Sequence, residues 1–269
     1  MYIKKLSLYI ISLNEEERLP KVLDSVKGVV DEILIVDSGS TDRTKEIAES
    51  YGARFVFHKW ESVGHQVKWS EEQCSYDWVL RLDADEVLSS ELAAEILRVR
   101  ENGAKDGYYV KIYDMVIGRN RPNPLVKNRK IIRLYNRTAY AMTGRLGHDD
   151  VEPVKDGATA SILSAPLLHY TFLSIHQMVD KHNVETDRLV ERAMIQGKNY
   201  SPLRIVGTMT FNFLKMFFID RYFLYGFWGF ILSVDYAFFR FLKFSKFYEQ
   251  KQLERHSYFR RKPFSTRRP

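Results

Sequence analysis

Asp83 and Asp85, separated by Ala84, are the residues whose types and spacing best suit chemistry. Two carboxylates at that spacing can hold a hard divalent cation, and diphosphate oxygens can complete its shell. A solvated turn would use the same residues. Position favours the ligand reading, because the pair follows the apolar run Trp78-Val79-Leu80-Arg81-Leu82 and so stands at the carboxyl end of a buried strand. Asp37 has a similar place and opens Asp37-Ser38-Gly39-Ser40-Thr41-Asp42. Gly39 permits a tight backbone path, and Ser40 or Thr41 can start a helix. A capped loop explains those hydroxyls but does not require an acid at 37, where a carboxylate can accept the imide N–H of a uracil ring. In Gly147-His148-Asp149-Asp150 a carboxylate could take the proton from an acceptor hydroxyl, although a polar turn between strands would also read this way. His169, in Leu167-Leu168-His169-Tyr170, is either a third metal ligand or a hydrogen-bonded residue at a strand end.

These residues need a scaffold, and the first half of the chain supplies alternating signals for one. Apolar runs at residues 6–11, 33–36, 54–57 and 78–82 read as strands. Leu19, Val22, Leu23 and Val26 recur at helical spacing and Gly28 can stop that helix. Further helices are expected from Ser40 or Thr41 through Ser50, over residues 66–74, and from Ser89 or Ser90 with Leu92, Ile96 and Val99 on one face. Strand–helix alternation with short links predicts an α/β fold with a parallel sheet covered on both faces. Such sheets bind ligands at the carboxyl ends of their strands, where Asp37 and Asp83 lie. Later, residues 107–118 and 130–140 read as irregular strands and residues 174–196 as a long, polar helix. From residue 205 to 248 Phe and Tyr dominate.

The net charge of +7 is concentrated at the end of the chain. Residues 251–269 carry Lys251, Arg255, Arg260, Arg261, Lys262, Arg267 and Arg268 against Glu254 alone. Charge confined to a short tail argues against a nucleic-acid-binding protein, which would carry it along a structured face with stacking residues. Lys4 and Lys5 precede an apolar run, but three glutamates follow with no small-residue cleavage site, so a first strand is expected rather than a signal peptide. The single Cys74 excludes an internal disulfide framework and fits a reducing compartment. No stretch reaches the roughly 20 apolar residues that span a bilayer. Neither a G-x-G-x-x-G turn after a strand nor a P-loop is found.

Ile11-Ser12-Leu13-Asn14-Glu15-Glu16, Asp37 to Thr44, and Leu82-Asp83-Ala84-Asp85-Glu86, in that order, resemble glycosyltransferase family 2. Within it the chain is similar to lipopolysaccharide inner-core β-1,4-glucosyltransferases. The resemblance covers the catalytic half, and more loosely the stretch from Arg221 to Phe247. It implies a GT-A, Rossmann-like mixed sheet flanked by helices, a UDP-sugar donor, Mg²⁺ or Mn²⁺, and inversion at the anomeric carbon. By position, Ile11, Leu13 and Glu15 line the nucleoside pocket and Asp37 reads uracil. Gln66 and Lys68 match a Gln-Lys pair near the donor, and Asp83 and Ala84 lie against it. Asp83 and Asp85 hold the metal, and His169 stays beside them as the candidate third ligand read from the residues above. Asp149 is the base, with Asp150 beside it as the alternative, because His148-Asp149 stands where the subfamily has His-Glu. Trp69 replaces the Asn that follows the family's Lys. A polyprenyl-phosphate glycosyltransferase is the rival within enzymes.

The expected domains are a catalytic domain over 1–172, with donor half 1–100 and acceptor half 101–172, a helical region over 173–250, and a basic tail over 251–269. In the helical region Arg240, Lys243 and Lys246 fall on one face of a helix, with Phe238 and Phe241 roughly opposite. That pattern suits a helix lying in an anionic membrane interface, and equally a subdomain whose aromatics pack inward or in a homo-oligomer contact. The acceptor is then a glycolipid or saccharide, and the location the cytoplasmic face of the inner membrane.

Overall fold

A computed structural model describes residues 2–103, 105–119, 121–145 and 150–255. The chain divides into two compact units. Residues up to Met115, with Asn128–Thr171, form the first, and Val116–Lys127 joins the residues from Phe172 onward in the second.

The first unit is built on an eight-stranded sheet. Its opening strands are β1 (Ser7–Ser12), β2 (Glu32–Asp37), β3 (Arg54–Phe57) and β4 (Trp78–Arg81). Between them come the helices α1 (Leu19–Ser25), α2 (Thr44–Ser50) and α3 (Val63–Glu72). Then follow β5 (Glu86–Leu88), α4 (Ser90–Asn102), β6 (Gly107–Asp114), β7 (Arg129–Asn136), β8 (Tyr140–Met142), β9 (Val151–Pro153) and β10 (Ala160–His169). The sheet order is β3-β2-β1-β4-β7-β6-β10-β5, and β8 pairs with β9 separately.

The parallel sheet expected from strand–helix alternation holds for β3, β2, β1 and β4. Beyond β4 the sheet is mixed, as the family resemblance implied: β7 runs antiparallel to both β4 and β6, and β5 antiparallel to β10. The reason is that β6 returns as β7 without a helical crossover, which a parallel neighbour would need. The expected helix at 66–74 starts earlier, at Val63, where the Ser62 hydroxyl accepts the His65 N–H.

Both faces of the sheet are covered. Leu8 and Ile10 of β1 enter one apolar cluster with Leu19, Leu23, Leu92 and Ile96. Tyr9 enters the other with Val36, Val67 and Tyr135. Alternate side chains of one strand therefore serve opposite cores, which is why β1 reads as a continuous apolar run. Cys74 is buried, and burial pushes its thiol up to about 12, so it packs rather than reacts.

The second unit is helical. Its helices are α5 (Ile175–Ile195), α6 (Leu203–Leu214) and α7 (Phe227–Arg255), with a π-helical turn at Lys215–Ile219 and a 3₁₀ turn at Tyr222–Tyr225. Lys246 does not face outward as the helical pattern predicted. Its ammonium donates to Asp187 Oδ1 at 2.6 Å, the Asn183 carbonyl at 2.8 Å and Thr186 Oγ1 at 2.9 Å, all on α5. Lys243 and Arg240 sit against the Phe244 ring, and burial lowers the Lys243 ammonium. The basic face of α7 is thus part of the packing of this unit. An ammonium that must leave water finds acceptors on a neighbouring helix. Among the described residues no helix is long and apolar enough to cross a membrane.

Candidate active site

The loops after β1 and β2 are laced together by hydrogen bonds. Asn14 takes a left-handed backbone conformation, φ 56°, and its N–H donates to Ser40 Oγ at 2.8 Å. Its side-chain oxygen accepts the Thr41 N–H at 2.9 Å. Glu15 N–H donates to Thr44 Oγ1 and Glu16 N–H to Asp42 Oδ2. Asn tolerates this conformation better than most residues, and here its side chain repays it by tying the second loop. Ile11 is half-buried and Leu13 more exposed at the mouth of these loops.

Asp37 is buried at the end of β2, and its carboxylate is fully engaged. Oδ1 accepts the Gly39 and Ser40 N–H groups at 2.8 and 2.7 Å; Oδ2 accepts the Ser12 and Ser40 hydroxyls at 2.7 and 2.5 Å. A carboxylate offers about four acceptor positions. A uracil imide would therefore have to displace a serine hydroxyl, whose rotation costs little. Gln66 lies beneath this loop, fully buried. It donates to Ser38 Oγ and the His58 carbonyl, each at 3.2 Å, and its oxygen meets His58 Nδ1 at 2.8 Å. It braces the loop from α3. Lys68, two residues on, is half-exposed and donates to Glu72.

Asp83 and Asp85 diverge. Asp83 turns its oxygens to two guanidinium groups, Arg81 Nη2 at 3.0 Å and Arg133 Nη2 at 2.9 Å. Burial alone would raise its carboxyl, but Arg81 and Arg133 outweigh that and hold it well below the usual carboxylate range. Asp85 turns to His169, with Oδ1 3.3 Å from the imidazole Nε2, while Arg18 Nη1 lies 3.5 Å from Oδ2. On its other edge His169 Nδ1 is 2.7 Å from Asp114 Oδ1. Burial pushes this imidazole down, yet the Asp114 and Asp85 carboxylates carry it up to about 9.

The expected trio Asp83, Asp85 and His169 therefore does not converge as a ligand set. Among the described residues no three His, Cys, Asp or Glu side chains group to hold a metal ion. Two do come together, Asp85 and His169. A carboxylate oxygen and an imidazole nitrogen 3.3 Å apart can face one ion. Mg²⁺ and its like usually take one or two protein ligands, with phosphates and water completing the shell. The donor set fits such an ion, whose binding would need the imidazole nitrogen facing Asp85 to be free of a proton.

The segment expected to carry the base lies between β8 and β9. Its two ends are fixed, since Tyr140–Met142 pairs with Val151–Pro153 and Thr143 N–H donates to the Asp150 carbonyl at 3.0 Å. Asp150 is exposed. Asp149 and His148 lie outside the described residues. Glu71 of α3 accepts the Met142 N–H at 2.8 Å and so ties β8 to α3.

Several residues here carry no signal in the sequence alone. Arg133 and Asp114 belong to strands whose pairing brings them in from far along the chain. Glu86 alone follows the motif directly, and its side chain accepts the Asp83 N–H at 3.0 Å.

The family model described as glycosyl transferase family 2 matches residues 7–153, more than half of the chain. An uncharacterised glycosyltransferase of Rickettsia typhi is 37% identical over 255 residues, covering 91% of this chain and 87% of that one. The lipopolysaccharide core biosynthesis glycosyltransferase LpsC of Rhizobium meliloti is 30% identical over 93% of this chain and 94% of its own length. Glucosyl-3-phosphoglycerate synthase from Mycobacterium tuberculosis, crystallised with Mg²⁺ and UDP, is 27% identical. It aligns over 41% of this chain and 43% of that one, with a TM-score of 0.35. With its mixed sheet flanked by helices and its acids at the carboxyl ends of β2 and β4, the chain belongs to glycosyltransferase family 2.

Proposed function

We propose that this glycosyltransferase is an inverting, divalent-metal-dependent enzyme that moves a hexose, glucose, from a UDP-sugar to a lipopolysaccharide-core or related glycolipid acceptor. The observation that carries the reading is the Asp85–His169 pair at the carboxyl end of the sheet, reached by Arg18 from the loop after β1 that is tied to the Asp37 loop. LpsC, alike over nearly its full length, carries the acceptor class in its name. Mg²⁺ or Mn²⁺, held by Asp85 and His169, would stabilise the negative charge of the departing diphosphate. Asp83, fixed by its two arginines, faces the donor with Ala84. Ile11, Leu13 and Glu15 border the nucleoside, Asp37 reads the base, and Lys68 adds positive charge near the diphosphate on leaving Glu72. As the acceptor oxygen attacks the anomeric carbon, the bond to the diphosphate breaks on the opposite face. The acceptor proton passes to Asp149, or to Asp150 beside it. One such displacement inverts the anomeric centre. The first unit would be the catalytic domain. The helical unit and basic tail would hold the enzyme on the cytoplasmic face of the inner membrane.

The test is UDP release by purified protein across a panel of UDP-sugars with Mg²⁺ or Mn²⁺. UDP-glucose should be turned over, and EDTA should abolish the reaction. Asp85→Ala should do the same while the chain stays folded. Asp149→Asn should still bind UDP while losing about 10²–10⁴ in rate, with Asp150→Asn far less affected. Full turnover in EDTA would overturn the metal-dependent mechanism.

A further inference from the structure

The helical unit carries an apolar patch with a rim of one charge. From α6 through the π-helical and 3₁₀ turns to the start of α7, large apolar side chains face outward. Leu203 is 80% exposed, Val206 78%, Phe211 65%, Phe218 57%, Ile219 72% and Phe227 77%. Soluble proteins scatter such residues singly; a run of them within one stretch marks an interaction surface. The segment Val116–Lys127 packs against the same turns. Arg119 donates to the Tyr225 carbonyl, the Tyr225 hydroxyl accepts the Asn123 N–H, and Val116 and Val126 bury with Tyr222 and Tyr225.

Across residues 116–127 and 203–230 the charged residues are Arg119, Arg121, Lys127, Arg204, Lys215, Arg221 and a single acid, Asp220. That acid is buried and paired with Lys215 at 2.7 Å and Lys127 at 3.2 Å. So no carboxylate among the described residues of these stretches faces water.

We infer that this patch, rather than the basic face of α7, is the surface that enters an anionic lipid leaflet. The inference rests on the peripheral attachment proposed above and names the residues that make it. Charge selects the occupant. A leaflet with anionic headgroups offers hydrocarbon to the phenylalanines and phosphate to the arginine rim. A second copy meeting the patch across a two-fold axis would set cation against cation. The lysine the sequence pattern offered to lipid, Lys246, is instead spent on Asp187.

The experiment is co-sedimentation of the full chain with vesicles of phosphatidylcholine and phosphatidylglycerol, and with phosphatidylcholine alone. Wild-type protein should pellet with the anionic vesicles at low salt and keep part of its binding at high salt, since buried apolar area is not screened. Phe218→Asp/Phe227→Asp should bind about tenfold or more weakly, because each ring loses its burial in hydrocarbon. Leu203→Asp/Val206→Asp, on α6 alone, gives a second variant should the first melt early. UDP binding and the circular dichroism melt serve as fold controls. If both variants bind as wild type does, the patch is wrong and peripheral attachment stands. If wild type never pellets with anionic vesicles, both fall. If wild type is a dimer that these substitutions dissolve, the occupant is a second copy and the inference is overturned.

Discussion

Arg133 bridges two acids with one nitrogen, Nη2, reaching Asp83 at 2.9 Å and Glu86 at 2.6 Å. Among the described residues its Nε and Nη1 find no acceptor, although the side chain is 2% exposed. The group is therefore kept by charge, not by complete hydrogen bonding, and Glu86 depends on it. Burial pushes the Glu86 carboxyl up, and Arg133 opposes this. Removing one member of a buried pair strands the other, at a cost of about 3–5 kcal/mol. Arg133→Ala is expected to lose that much in urea unfolding. Arg133→Ala/Glu86→Gln should recover a substantial part of it, because the stranded charge is gone. Equal losses in the single and double variants would show that the pair is not coupled. Since Glu86 also accepts the Asp83 N–H, Arg133→Ala should weaken UDP binding as well. At this scale the acids were legible in the sequence, because a carboxylate just after an apolar strand has few structural uses. Their partners were not. Arg81 and Arg133 meet because β4 and β7 run antiparallel with Leu80 opposite Leu134, a register that no local pattern encodes.

Gly229, in the first turns of α7, shows how tightly the elements of the helical unit meet. A Cβ there would lie 1.8 Å from the Tyr222 carbonyl oxygen and 2.6 Å from its carbon. Backbone cannot give way as a side-chain tip can, so α7 and the 3₁₀ turn would have to separate. Overpacking of this kind costs typically about 1–3 kcal/mol. Gly207 in α6 is the internal control, because a Cβ there meets nothing within 4 Å. Gly229→Ala should speed hydrogen exchange in Tyr222–Tyr225 and the start of α7 while β1 to β4 stay protected. Gly207→Ala should stabilise its helix by about 0.5–1 kcal/mol. Unchanged exchange in Gly229→Ala would mean that the contact is looser than its geometry. Legibility differs between elements for a related reason. Strands β1, β2 and β4 are buried on both faces and read as plain apolar runs. β10 has exposed Ile162, a register shift between Ile162 and Pro166, and partners in β5 and β6, so its ten residues showed only an apolar end before His169.

Glu71 links α3 to β8, the strand leading into the candidate base segment, and it makes the stability of the molecule depend on pH. It is 4% exposed, and burial raises its carboxyl from 4.5 to about 7. The folded chain then holds this proton to a higher pH than the unfolded chain does. Below pH 4.5 both states are protonated and nothing is lost. Between about 4.5 and 7 the folded state binds more protons, so the slope of unfolding free energy with pH is negative. Above 7 the whole penalty of burying a carboxylate is present. A tenfold difference in proton affinity between the two states is worth about 1.4 kcal/mol, so the penalty is at most about 3.5 kcal/mol. Glu71→Gln removes the titration and keeps an oxygen for the Met142 N–H. Unfolding midpoints in urea at pH 5 and pH 8 measure the effect as a difference between variant and wild type, in which the other titrating groups cancel. The variant should match wild type most closely at pH 5 and exceed it at pH 8. A constant difference across that range would show that Glu71 titrates normally. Arg137, whose guanidinium already donates to the Glu71 carbonyl at 2.8 Å, would then be the cation that keeps the carboxylate charged.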